Sequence, residues 1–284
     1  MITARGLIEL KQVADCRFRS VNSQDNYQGA IFGGQALGQS LAAAQLTVPY
    51  WLPHACTGFF LKPGTVADPI DYIVERVRDG RRFSERRVLA IQNDKPIFDL
   101  LCSFHDPEPG FSHQVSDVGN VPSPETLLSL AEFARAHADR LPPQVVERNC
   151  REFPVEVRPV DPEAIYFGPL EHTPRTFWFR MASAAECDDA RDHRCVLAFM
   201  SDYWLAAVAG SPHRSPAAVS NDFAVASLNH SLWFHGPMRT DDWLLYRTES
   251  PWAGEGRGMA RGLIYDRAGR LVASAVQEIS LRLR

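Results

Sequence analysis

The chain reads in the same order twice. Phe32-Gly33-Gly34-Gln35 opens a small, apolar segment that runs to Ala44, long enough for a buried helix. A Pro/Gly corner follows at Phe59–Gly64, then a strand at Asp71–Val77. A hairpin comes last, Arg86–Gln92 and Ile97–Phe104 around a turn at Asn93-Asp94. In the second half Val196–Ala209 is the apolar helix and Leu232–Pro237 the corner. Trp243–Thr248 is the strand, and Met259–Tyr265 with Leu271–Leu281 form the hairpin around Asp266–Gly269. A repeated order of helix, corner, strand and hairpin argues for an internal duplication. One helix with four or five largely antiparallel strands per copy predicts an α+β fold, two antiparallel sheets each wrapped around a buried helix. The β-α-β alternation of a doubly wound or barrel fold is absent.

Pro107, Pro109, Pro122 and Pro124, with Gly110 and Gly119, mark the ground between the copies as loop. A helical stretch from Glu125 through Ala134 follows and stops before Pro142-Pro143. The expected division is residues 1–105, a linker at 106–150 with one helix, and residues 151–284.

Composition mainly excludes. With 284 residues the chain can bury a core without disulfide or metal staples. Its 30 basic and 34 acidic residues leave a net charge of −4, so no general attraction to nucleic acid or an anionic membrane follows. Lys11, Lys62 and Lys95 are the only lysines, so arginine dominates the cations. Codon bias explains that best; phosphate binding by arginine forks is the sharper alternative. Cys16, Cys56, Cys102, Cys150, Cys187 and Cys195 form no C-x-x-C pair, and Cys187, His193 and Cys195 match no metal spacing. No signal-peptide core, Ser-Lys-Leu terminus or membrane-spanning run is present, so the expected location is the cytoplasm, with free thiols. There is no G-x-S-x-G, H-E-x-x-H, G-x-x-x-x-G-K-[ST] or complete G-x-G-x-x-G.

Two polar residues stand in apolar places. Asp202 has Ala198, Phe199, Leu205 and Ala206 as helical neighbours in the stretch Cys195–Gly210. It is either the N-cap of a shorter helix starting at Tyr203 or a carboxylate in a partly dry cleft, where desolvation makes it a better base. Gln277 shares a strand face with Ala273, Ala275 and Ile279. A buried Gln needs partners for both ends of its amide, from a neighbouring strand or as a second arm of an Asp202 site. Ser227 begins the strand-like run Ala226–His235, whose His230 and His235 read as structural or surface histidines. The pair Gly33-Gly34 suits close approach of a carbonyl to a helix start.

Phe32-Gly33-Gly34-Gln35, Phe60-Leu61-Lys62-Pro63-Gly64, Arg78–Ser84, His230-Ser231-Leu232-Trp233-Phe234-His235 and Val276-Gln277-Glu278 fall in an order that resembles the acyl-CoA thioesterase II family. The resemblance runs from about residue 8 to residue 282 and implies a double hotdog fold. It implies hydrolysis of fatty acyl-CoA with Asp202, Ser227 and Gln277 as catalytic residues and no metal or cofactor. Gly33 and Gly34 become candidate substrate-binding residues, arginines at the mouth meet the CoA phosphates, and the chain forms a homodimer or homotetramer. Three positions depart from the family pattern: Ser227 where Thr is common, Asn229 where Asp often stands, and Gly236 where Arg is familiar. The alternatives are a hotdog hydratase or dehydratase on enoyl-thioesters, dependent on His230, and an acyl-CoA binding module that releases no thiol.

Overall fold

The computed structural model describes residues 2–26, 29–115, 118–168, 175–213 and 223–283. The first half runs α1 (Ala4–Ile8), β1 (Leu10–Ala14), β2 (Arg17–Ser20), α2 (Gly33–Gln45), β3 (Leu52–Phe60), β4 (Asp71–Asp79), β5 (Phe83–Gln92) and β6 (Lys95–His105). Two helices follow, α3 (Leu130–Ala136) and α4 (Pro143–Cys150). The second half runs β7 (Glu156–Pro159), α5 (Pro162–Tyr166), β8 (Arg175–Arg180), α6 (Ala190–Ser201), α7 (Leu205–Gly210), β9 (Phe223–Phe234), β10 (Leu244–Gly254), β11 (Arg257–Tyr265) and β12 (Leu271–Leu283).

The duplication is visible in the strand order, β1-β2-β4-β5-β6-β3-β9-β12-β11-β10-β8-β7, which reads alike from either edge. Every neighbouring pair is antiparallel. Instead of two sheets, the strands form one 12-stranded sheet. The join is β3 with β9, centred on Thr57 opposite Ser231, whose hydroxyls lie 2.9 Å apart. Each of these strands would be an open edge in an isolated half, and pairing them satisfies both rows of backbone groups.

Helix α2 is buried along nearly its whole length and packs across β3–β6 and against α6. Gln39 within it is satisfied at both ends of its amide: it accepts from the Tyr72 hydroxyl at 2.7 Å and donates to the Leu7 carbonyl at 2.7 Å. Gly34 and Gly38 let α6 approach, since a Cβ on either would lie 2.3 Å from the Phe199 carbonyl oxygen or 2.9 Å from that of Cys195. One apolar cluster therefore runs through both halves, from Leu37 and Leu41 to Val196 and Phe199.

Three local expectations change. The stretch 196–209 is two helices, because Trp204 takes a left-handed conformation (φ +68°) that ends the first and starts the second. Among the described residues, 106–150 hold two α-helices rather than one, preceded by a short 3-10 turn at Pro124–Thr126. Ser129 closes a capping box with Glu132, and Pro143 stands at the first turn of α4, where a missing N–H costs nothing. The asparagine and aspartate of the first hairpin turn both have positive φ, as a tight two-residue turn requires.

Candidate active site

Asp202 caps the C-terminal end of α6, where its backbone is still helical, so it is not the N-cap of a helix beginning at Tyr203. The residue is 6 % exposed, and its carboxylate points across to the start of α2. There the Gly34 N–H faces it and favours its charged form. A Cβ on Gly33 would stand 2.8 Å from Oδ2, so the glycine pair makes room for this carboxylate as well as for α6. Two helix ends thus act on one group: the negative end of α6 opposes the charge and the positive end of α2 favours it. Burial decides the balance and pushes the Asp202 carboxyl up to about 6, against the pull of the Gln277 and Gly34 donors.

Gln277 is fully buried on β12. Its Nε2 donates to Asp202 Oδ1 at 2.7 Å and to Ser227 Oγ at 2.8 Å, so one amide bridges the two. Strict alternation along β9 would turn Ser227 to the face opposite His230. A bulge at Leu228 prevents this, because Asn229 pairs with Glu278 while Ser227 pairs with Ile279. The extra residue returns Ser227 to the inner face beside Gln277.

Asp202, Ser227 and Gly33 line a cavity of about 810 Å³. Its apolar wall includes Ile31, Phe60, Ile97, Trp204 and Val225. Lys62, Arg148 and Arg282 also line it. None of the three has a charge partner among the described residues, in a chain whose other arginines are mostly paired.

The remaining candidates lie elsewhere. His235 is exposed and bonds to Ser274 Oγ at 2.8 Å. His193 is tied to Thr240 at 2.9 Å. Asn229 bonds to Glu278 through both backbone and side chain, which gives that departure a structural use. His230 is buried behind Asp202, directly opposite Gln277 on the neighbouring strand, and the sequence pattern underrates it. The corresponding pair in the first half is Cys56 opposite Cys102, two buried thiols, with burial pushing Cys56 up to about 12. The polar constellation thus belongs to the second copy.

A duplicated helix-and-sheet unit, with Asp202 and Ser227 at one largely apolar cavity and the Gln277 amide bridging them, sets the class of fold and site to compare with known proteins. A hot dog fold protein from Alicyclobacillus acidocaldarius superposes with a TM-score of 0.78 over 99% of this chain and 98% of that one, at 17% identity, which speaks for the fold alone. Two family models match: acyl-CoA thioesterase N-terminal domain over residues 22–105 and acyl-CoA thioesterase C-terminal domain over residues 124–281. Acyl-CoA thioesterase 2 of Haemophilus influenzae is 35% identical over 277 residues, 97% of this chain and 96% of that protein. The crystal structure of an acyl-CoA thioesterase II from Mycobacterium marinum matches with a TM-score of 0.79 and 33% identity, over 99% and 97% of the two chains. The chain belongs to the acyl-CoA thioesterase II family.

Proposed function

We propose that the chain hydrolyses fatty acyl-CoA to a free fatty acid and CoA, with Asp202 as the base that activates water. Family membership supports the reaction; the observation that carries the mechanism is the Gln277 amide bridging Asp202 and Ser227 at the cavity wall. Gln277 holds Asp202 and Ser227 in place with its two N–H bonds, the Ser227 hydroxyl holds the water, and Asp202 takes its proton as the oxygen attacks the thioester carbonyl. The carbonyl oxygen becomes an oxyanion and needs donors in place beforehand. Gly33 and Gly34 shape the helix start beside that point, although the Gly34 N–H already serves Asp202. When the C–S bond breaks, the proton on Asp202 passes to the departing CoA sulfur.

A base with a pKa of about 6 must be ionised to work. The expected result is a kcat/KM that is flat above pH 7 and falls about tenfold per unit below a midpoint near 6, measured as thiol release from palmitoyl-CoA. A profile flat to pH 4.5 in folded protein would remove Asp202 as base. The same assay from C4 to C18 acyl chains sets the chain-length preference.

Lys62, Arg148 and Arg282 are the cations that meet the CoA phosphates in this proposal. Neutralising all three is expected to raise KM about tenfold with little change in kcat, at roughly 0.5 kcal/mol per exposed charge, and added salt should shrink the difference. The division at 1–105, 106–150 and 151–284, a cytoplasmic location, and a homodimer or homotetramer belong to the same proposal. No helix among the described residues is long and apolar enough to cross a membrane.

A further inference from the structure

His230 takes no part in the chemistry proposed above, yet its ring lies against the base. Its Nε2 is 3.0 Å from Ser201 Oγ. Ser201 is the last residue of α6, and its hydroxyl donates to the Ala198 carbonyl at 2.9 Å, one of the carbonyls left open at a helix end. A hydroxyl has a single proton, so with that proton on Ala198 the oxygen is an acceptor for the imidazole. In that arrangement Nε2 carries the ring proton and Nδ1 is bare. Nδ1 is buried with no hydrogen-bond partner, 3.8 Å from Asp202 Oδ1. That distance is too long for a hydrogen bond, and with a neutral ring it is no ion pair. Burial pushes His230 down to about 3, which keeps the ring neutral.

Two acceptors face each other across this gap while Asp202 is ionised. They become donor and acceptor once Asp202 holds a proton. We infer that His230 is a positioning residue: Ser201 fixes it as the Nε2–H tautomer, and its bare Nδ1 accepts a hydrogen bond from the protonated Asp202 formed during thioester hydrolysis, the 3.8 Å gap closing once the two atoms are no longer both acceptors. The proton comes from the attacking water, rests on Asp202 Oδ1 facing Nδ1, and leaves with the CoA sulfur as the C–S bond breaks. His230 itself neither gains nor loses a proton. Among the described residues Asp202 faces two titratable side chains, His230 on β9 and Tyr246 on β10, whose hydroxyl donates to the Ser201 carbonyl at 3.2 Å. The other groups acting on the carboxylate are uncharged, the Gln277 amide bonded to it and the Gly34 N–H facing it.

The inference rests on Asp202 being the base, which the Asp202→Asn variant tests separately. Given that, His230→Leu should move the acid limb of kcat/KM down by about one pH unit, because the protonated carboxyl loses its acceptor. It should also lower kcat about tenfold and leave KM within twofold. Ser201→Ala is the milder variant. It frees the ring to place its proton on Nδ1 and donate to Asp202, so its limb should move the same way, and the double variant should move no further than His230→Leu. In wild-type protein, ¹⁵N shifts of the His230 ring should show Nε2 protonated and Nδ1 bare. An Nδ1–H ring, or acid limbs unmoved in both folded single variants, would overturn the role of His230 while leaving Asp202 as the base.

Discussion

Replacing Asp202 with asparagine is expected to lower thiol release from palmitoyl-CoA by on the order of 10²–10⁴-fold, the usual contribution of a positioned general base. Asparagine keeps the shape and one acceptor, so the cavity and the Gln277 contact survive in outline. The variant should not pay for its inactivity in stability. Asp202 has a pKa of about 6 in the fold against 3.8 for an ordinary carboxyl. The folded state therefore binds its proton more tightly than the unfolded chain does. Its stability contribution is fully present below about pH 4 and is lost as pH rises through about 6. At pH 7.5 the ionised group costs about 3 kcal/mol, two pKa units at 1.36 kcal/mol each. Removing the charge relieves that cost, while the new amide faces one of the two donors and returns part of it. A melting temperature at pH 7.5 equal to or above wild type, with activity gone, is the expected pair of results. Full activity in folded Asp202→Asn would sink the assignment.

The second large effect is structural. Gly34→Ala should lower the melting temperature by about 5–10 °C, from an overpacking cost of about 2–3 kcal/mol. The added Cβ would lie 2.3 Å from the Phe199 carbonyl oxygen and 3.1 Å from its carbon. These are backbone atoms of α6 and cannot swing aside as a side chain can. The helices must part, and parting them draws the Gly34 N–H away from Asp202. Activity should therefore fall further than the unfolded fraction explains at 25 °C. Gly110→Ala is the control: nothing lies within 4 Å of its Cβ position, and no change is expected in either measurement. A Gly34→Ala protein as stable as the control would rule out close α2–α6 packing as the reason for glycine at this position.

Much of the site was legible because its residues break a local pattern. Gln277 stands out on a strand whose inner positions Ala273, Ala275 and Ile279 are apolar, and burial alternates there as written. Asp202 stands out in an apolar stretch for the same reason. Ser227 gave no such signal, since its inward position depends on the bulge at Leu228 and so on the register of β12. His230 looked like any histidine in a strand; its place opposite Gln277 is a cross-strand fact. The break at Trp204 was hidden because neither glycine nor proline announces it.

The sequence by itself determined the repeated order of elements, the antiparallel hairpins and the two misplaced polar residues, since each follows from periodicity along a single segment. The tertiary structure alone decided that β3 and β9 join the halves into one sheet, that α6 ends at Ser201, and that the start of α2 meets Asp202. These depend on contacts between segments far apart in the chain. Backbone hydrogen bonding and packing select among several local conformations there, and local pattern carries no record of the choice.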